Sequence, residues 1–402
     1  MFKKTLLILS LCWSFPYITQ AQVVNTGAII SVESKALMFI ESDYTHTGGT
    51  ILNYGVIQIK GNWYNNDASS GVFDNRSDSP VEFTGGIQNI NGTYSTTFPC
   101  LSLKGTNNKF LQINTEVRCT LYLNDKELVA DKFSLTVTNP KPEAVTRTTG
   151  FVSTDKKGKF IRATQTEGDY LFPMGTSQNA TVLYRPLIFD PQTNLQNTFA
   201  VTFTKGDPTL SGYNVNSKRQ DVQTVFDKYF YVVDQPNGSS NTTIKFHQNT
   251  IVDGEFKQLV SWSPFLLWEK SGPSTVADGG FGDNLNRNIL FASTSVIKNL
   301  PFSFANNTSE AIEPLTFFNA FSPDGDGIND TWIINNVDLF PNNDLIIFNR
   351  WGDEVYRTKN YTSAKAWDGG NMNPGTYFYV LNVNIDGKQK AYKGFITMLK
   401  KN

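Results

Sequence analysis

Short apolar pairs separated by a single residue recur through the first third of the chain, at Ile57/Ile59, Val81/Phe83, Leu101/Leu103, Leu111/Ile113, Leu121/Leu123 and Leu135/Val137. Successive side chains of an extended strand point to opposite faces, so each pair marks one buried face of a very short strand. Turn-forming stretches stand between the pairs, among them Asn65-Asn-Asp, Thr84-Gly-Gly, Asn91-Gly and Thr106-Asn-Asn. Strands this short bury little on their own. Their recurrence at irregular intervals of about 10 to 24 residues suits a β-solenoid over residues 22–149, with two or three short strands in each coil. A β-sandwich is the alternative.

Thirty Phe, sixteen Tyr and thirty Gly favour strands over helices for the whole chain. From about Gly150 the alternating runs lengthen: Arg185-Pro-Leu-Ile-Phe-Asp190, Phe199-Ala-Val-Thr-Phe-Thr204 and Tyr229-Phe-Tyr-Val-Val233, with loops such as Gln235-Pro-Asn-Gly238. This spacing predicts an antiparallel β-sandwich over 150–300. Strand signals fade between Ile297 and Pro314, and the polar run Asn306-Asn-Thr-Ser-Glu310 places a linker at 301–316. At 402 residues the chain is long enough for two or three domains.

Residues 1–21 read as a secretory signal peptide. Lys3 and Lys4 precede the apolar run from Thr5 to Trp13, and Thr19-Gln-Ala21 offers a small-residue cleavage site. Cys12 follows Leu11, where lipidation needs a small residue. No later stretch approaches about 18 uninterrupted apolar residues, so the exported chain is expected to be soluble. Loss of Lys3 and Lys4 leaves 33 basic against 36 acidic residues, a net charge of about −3. Nucleic acid is not an expected partner, since it calls for a basic patch.

The last segment, 317–402, opens on Asn319-Ala-Phe-Ser-Pro-Asp-Gly-Asp-Gly-Ile-Asn-Asp330. Asp324, Asp326 and Asp330 stand in the spacing D-x-D-G-x-x-D, and Gly325 and Gly327 let the backbone fold so that all three carboxylates face one point. Hard-cation loops are built in this way, which makes Ca2+ the candidate cofactor. Asn335 stands where an EF-hand would place its bidentate Glu, and Ile328 offers only a backbone carbonyl. A tight Asp/Gly turn whose carboxylates cap backbone N–H groups explains the same residues.

Further motifs follow in order: Phe348-Asn-Arg-Trp-Gly352, Trp367-Asp-Gly369, Pro374-Gly-Thr-Tyr-Phe-Tyr379 and Lys393-Gly394. Together with the acidic run they resemble the gliding-motility-associated C-terminal domain of Bacteroidetes surface proteins. The resemblance implies an Ig-like β-sandwich that addresses the chain to the type IX secretion system. It carries over as sorting-motif residues Asn319, Pro323, Gly325, Gly327, Asn329, Arg350, Trp351, Gly352, Trp367, Asp368, Gly369, Gly375, Tyr377, Lys393 and Gly394. The implied partners are the secretion translocon and an outer-membrane protein of the SprF/PorP kind. The implied location is the cell surface, outside the outer membrane. Two further runs, Phe83-Thr-Gly-Gly-Ile-Gln-Asn-Ile90 with Phe98-Pro-Cys-Leu-Ser-Leu103, and Gly168-Asp-Tyr-Leu-Phe-Pro-Met-Gly175, resemble modules of secreted Bacteroidetes proteins. The expected role is structural, adhesive or connected with gliding motility, and a carbohydrate-binding or polysaccharide-degrading surface protein is the alternative.

Catalysis finds no support among the motifs. His46 and His247, the only histidines, read as surface or loop residues, and no G-x-S-x-G, H-E-x-x-H or phosphate-binding loop is present. The cluster Trp262, Phe265 and Trp268 is a candidate glycan platform if its rings face solvent, but Pro264 interrupts the strand and core packing is the alternative. Within the last segment Trp351 and Trp367 read as core or turn-packing residues. Cys100 and Cys119 each open a strand-like pair about one coil apart. Stacked strands lie about 4.8 Å apart, within reach of a disulfide formed in an oxidising compartment.

Overall fold

The computed structural model describes residues 22–399 except 70, 156, 179–180, 273, 283, 308–314 and 386–387. The expected signal peptide, with Cys12, and the terminal Lys400 and Lys401 lie outside the described residues.

The N-terminal region is a parallel β-solenoid with three faces. One face stacks Gln22–Val32, Asp43–Asn53, Trp63–Asn65, Gln88–Gly92, Lys109–Leu111, Glu127–Asp131 and Phe151–Thr154. A second stacks Leu37–Ile40, Val56–Ile59, Pro80–Phe83, Cys100–Leu103, Leu121–Tyr122 and Val145–Thr146. The third carries Thr96–Phe98, Thr115–Val117, Ser134–Val137 and Lys159–Thr164. The register runs through the apolar pairs: Ile57 stacks on Val81, Val81 on Leu101, and Leu101 on Leu121. All four side chains are buried in one column. Each such side chain contributes about 1.5–3 kcal/mol on burial, so stacking supplies the core that no single coil has.

The coil corners need residues that tolerate close backbone approach. A Cβ on Gly105 would sit 2.2 Å from the carbonyl oxygen of Gly85 in the coil below. Corner carbonyls are satisfied from inside. The buried Lys109 ammonium donates to the carbonyl oxygens of Gly85, Gly86 and Thr106 at 2.9, 2.6 and 3.1 Å. Burial away from water pulls its pKa down to about 8. Cys100 and Cys119 are disulfide-bonded across adjacent coils, their Cα atoms 5.1 Å apart.

The solenoid does not stop at residue 149. Phe151–Thr154 pairs in parallel with Glu127–Asp131, and Lys159–Thr164 with Ser134–Val137. All of Phe151–Thr154 is buried, so the strand shows no alternation to mark it in the sequence. Lys159–Thr164 is also paired, antiparallel, with Asn197–Lys205. The third face therefore runs on through Tyr229–Asn237, Leu300–Asn307, Gln258–Trp262 and Trp268–Lys270. A second antiparallel sheet orders Tyr170–Phe172, Leu187–Pro191, Thr242–Gln248, Arg287–Ala292 and Ser274–Asp278. Phe189 meets Phe199 and Phe246 meets Phe302 between the sheets, at ring separations of 5.0 and 5.2 Å. One hydrophobic core reaches from Val32 to Phe304, so solenoid and middle region form a single unit ending at Asn307.

The expected linker at 301–316 is corrected only at its start by the same sheet, and 308–314 lie outside the described residues. Leu300–Asn307 is a strand paired with Tyr229–Asn237 and Gln258–Trp262. Phe302 and Phe304 alternate inward, whereas Pro301 and the asparagines at the strand end gave the segment its loop-like composition.

The second unit, Thr308–Asn402, has its own core. Its five-stranded sheet orders Ala320–Phe321, Lys388–Met398, Gly375–Ile385, Asn343–Phe348 and Glu354–Lys359, and Thr316–Phe317 pairs separately with Ile334–Asn335. Tyr377 and Tyr379 point inward and Phe378 outward, as period two requires of a half-buried strand. Among the described residues no helix is long and apolar enough to cross a membrane.

Candidate functional site

Strand register in the second unit places most of its motifs at one end of the sheet. Phe321 and Gly375 both pair with Met398, and Phe348 pairs with Phe378 close to the start of the same strand. The chain therefore leaves the sheet at this end into the loop 322–330 and the turn 349–352, and re-enters it at Gly375 after the turns of 367–374. A cleft of about 390 Å³ lies between the acidic loop and the turns of 367–374, and Pro323, Gly325, Asp330, Asp368, Met372 and Met398 are among its lining residues.

The acidic loop is built as its spacing suggests. Gly325, Gly327 and Asn329 have φ of 79°, 86° and 55°, left-handed conformations that glycine and asparagine accept at low cost. Asp330 accepts from the N–H of Gly325 at 2.7 Å and of Gly327 at 2.8 Å, and Asp326 accepts from Ile328 N–H at 2.8 Å. Ser322 N–H donates to the carbonyl of Asn329 at 2.9 Å and closes the loop. One oxygen from each of Asp324, Asp326 and Asp330 lies within 4.8 Å of the others. Ligands of one Ca2+ lie no more than about 5 Å apart, so the carboxylates both cap the turn and meet the spacing of a hard-cation site. Ile328, 66% exposed, has no core role here.

The turn 349–352 is organised by Asn349, whose side-chain oxygen accepts from the N–H groups of Trp351 and Asp353, both at 2.9 Å. Gly352 takes φ 90°. Trp351 is 72% exposed, so of the two expected roles core packing is excluded and a place on the turn remains, and the Arg350 guanidinium lies 4.0 Å from its ring centre. Trp367 is the buried one. It packs on Phe321 and Tyr377, and its carbonyl accepts from Trp332 N–H at 2.7 Å. Asp368 caps Gly370 N–H at 2.9 Å, and Gly369, at φ 83°, leaves room for the Met398 sulfur that a Cβ would meet at 2.4 Å. Asn319 accepts from Thr397 N–H at 2.7 Å, and Tyr377 donates its hydroxyl to Asn373 O at 2.6 Å. Lys393 and Gly394 lie in mid-strand, away from this end. Sequence reading missed Trp332 and Tyr361. Tyr361 donates its hydroxyl to Trp332 O and accepts from Trp367 N–H, which ties the strand ends to the turns. Only partners distant in sequence reveal that role.

The other candidates fare differently. Trp262 and Trp268 pair across a hairpin, but Trp268 is buried under Tyr213 and Trp262 is partly covered, which leaves Phe265 as the exposed ring. The solvent-facing pair of tryptophans that a glycan platform requires is not formed. The histidines are not surface residues: His46 is fully buried beside Tyr44, and His247 is buried against Phe281. His46 Nε2 lies 3.6 Å from an Asp67 oxygen. Burial lowers both histidine pKa values, that of His247 to about 4.

The second unit is thus a small all-β domain, most of whose motif residues converge on one end of its sheet. Residues 315–398 match the CHU_C type IX secretion signal domain, so this part of the chain carries the type IX secretion signal, which implies secretion to the cell surface and contact with that machinery. No curated protein and no solved structure matches the chain.

Proposed function

We propose that the loop 322–330, the turn 349–352 and the turns of 367–374 form the surface read during export. Its partners are the type IX translocon and a SprF/PorP-like outer-membrane protein. The supporting observation is Trp351, a large ring left 72% exposed on a turn that three hydrogen-bonded Asn349 contacts hold in place. An exposed aromatic backed by arginine is the kind of residue that anchors protein interfaces. Ca2+ is the ion the acidic loop would take, and it would fix the loop beside this surface. An Ig-like arrangement of the second unit and a β-sandwich in the middle region agree with the antiparallel strand orders above. Beyond the outer membrane the N-terminal unit serves a non-enzymatic structural, adhesive or gliding-associated role. The long stacked core, with its disulfide across adjacent coils, suits an extended surface scaffold.

Glycan binding is the second reading. It draws on a cleft of about 530 Å³ where the solenoid meets the middle region, lined by Phe110, Asn108, Glu127, Asp131, Gln178 and Lys205 among others. Amides, carboxylates and one ring suit a hydroxylated ligand. A glycan panel against the full chain tests it, and absence of saturable binding removes it. For the export reading, Trp351→Ala combined with Arg350→Ala should leave folding intact and reduce the surface fraction. Normal surface amounts of the double variant would refute that surface.

A further inference from the structure

The first coil of the solenoid is an open end. Among the described residues Gln22–Val32 pairs only with Asp43–Asn53, and Leu37–Ile40 only with Val56–Ile59. On the other side of both strands no strand of the described residues pairs with their backbone N–H and C=O groups. The core is unsealed there as well. Val23 stacks on the fully buried Tyr44, so it occupies an inward position, yet it is 39% exposed, while Ile30 and Met38 stack on buried Ile51 and Ile57 and remain partly exposed themselves. The outward side chains of this coil are also apolar, with Val24 at 47%, Ile29 at 76%, Leu37 at 58% and Phe39 at 49% exposure. Edge strands that stay unpaired are usually protected by lysine, proline or short length. Gln22–Val32 has eleven residues and no charge or proline, and Leu37–Ile40 has none either.

We propose that this end is covered by the same end of a second copy of the chain, in a two-fold, head-to-head stack of solenoids. The opposite end of the solenoid is built differently: Met174 bridges to Val152, Arg162 donates to the carbonyls of Lys141 and Pro142, the third face continues into the antiparallel sheet, and the second face ends in the two-residue strand Val145–Thr146. Head-to-tail stacking therefore meets no matching end, since only a two-residue edge is offered there, whereas an isologous contact pairs like with like. A two-fold stack sets the strands antiparallel, the pairing that allows both edges to exchange backbone hydrogen bonds. The only charges in residues 22–40 are Glu33 and Lys35, one of each sign on the corner between the two strands, which a two-fold contact accommodates without like-charge excess.

Sedimentation velocity of the chain from Gln22 to Asn402, over about 1 to 100 μM, should show a concentration-dependent dimer. The double variant Val24→Lys with Ile29→Lys should weaken the dimer by about 100-fold or more, because like charges would face each other across the paired edges. Both side chains are exposed, so circular dichroism and the melting curve should match those of the parent chain. A parent chain that stays monomeric throughout, or a dimer that the double variant leaves unchanged, overturns the proposal.

Discussion

The ring of Tyr379 lies flat across Gly394 on the neighbouring strand, so that a Cβ at position 394 would fall 2.6 Å from the tyrosine hydroxyl oxygen and 2.8 Å from ring carbons. Tyr379 cannot yield easily, since Phe317 stacks on it at 5.0 Å and Trp332 packs beside it at 4.8 Å. This accounts for glycine in the Lys393-Gly394 motif. Gly394→Val should destabilise the second unit by about 1–3 kcal/mol through overpacking. Tyr379→Phe should not rescue it, because the ring carbons clash as well as the hydroxyl. Thermal melting of the double variant checks this.

The Cys100–Cys119 disulfide closes a loop with a sequence separation of 19. Closing a loop of that size in the unfolded chain contributes about 3 kcal/mol to stability. Cys100→Ser with Cys119→Ser should lower the denaturant midpoint of the first unit by a corresponding amount. Mass spectrometry of the non-reduced parent, unfolded and alkylated, should find neither of these thiols modified.

His247 gives the fold a pH dependence of definite sign. Its folded pKa, about 4, lies below the unfolded value of 6.5 because burial disfavours the charged ring. Stability is therefore full above pH 6.5 and is lost as pH falls toward 4, by up to about 3 kcal/mol. His46 shifts in the same direction, its burial outweighing the opposing pull of Asp67. The melting temperature should fall between pH 7 and pH 4.5, and His247→Gln should flatten that fall.

The acidic loop separates two effects of its carboxylates. Asp330 holds Gly325 and Gly327 N–H groups, so Asp330→Ala should loosen the loop with or without metal. Asp326 caps only Ile328, and Asp326→Ala should chiefly abolish a calcium response. In the full chain, free calcium at about 100 times its dissociation constant should stabilise the second unit by about 2.7 kcal/mol. A transition unmoved by calcium or chelator would leave the turn alone.

Much of this was legible because local rules governed it. The apolar pairs that open at Ile57, Val81, Leu101 and Leu121 announce coils, since their first members repeat in register from one coil to the next, whereas Ile113 of the Leu111 pair falls outside any strand. The loop of Asp324, Asp326 and Asp330 was readable because its hydrogen bonds span no more than seven residues. Phe151–Thr154 hid the continuation of the solenoid because burial on both faces erases alternation. Both histidines were misplaced, and Trp351 was left undecided between core and turn, for a different reason. Whether a ring is covered depends on strands far away in sequence, such as those that bury Trp367 and leave Trp351 bare.

The most direct test of the account is where a chain ending at Asn307 goes. That truncation keeps the whole first unit and removes the domain matched to the type IX secretion signal. Surface labelling of cells against periplasmic fractionation should find the truncated protein folded in the periplasm and absent from the cell surface. Truncated protein at the surface in the amounts of the full chain would contradict the account.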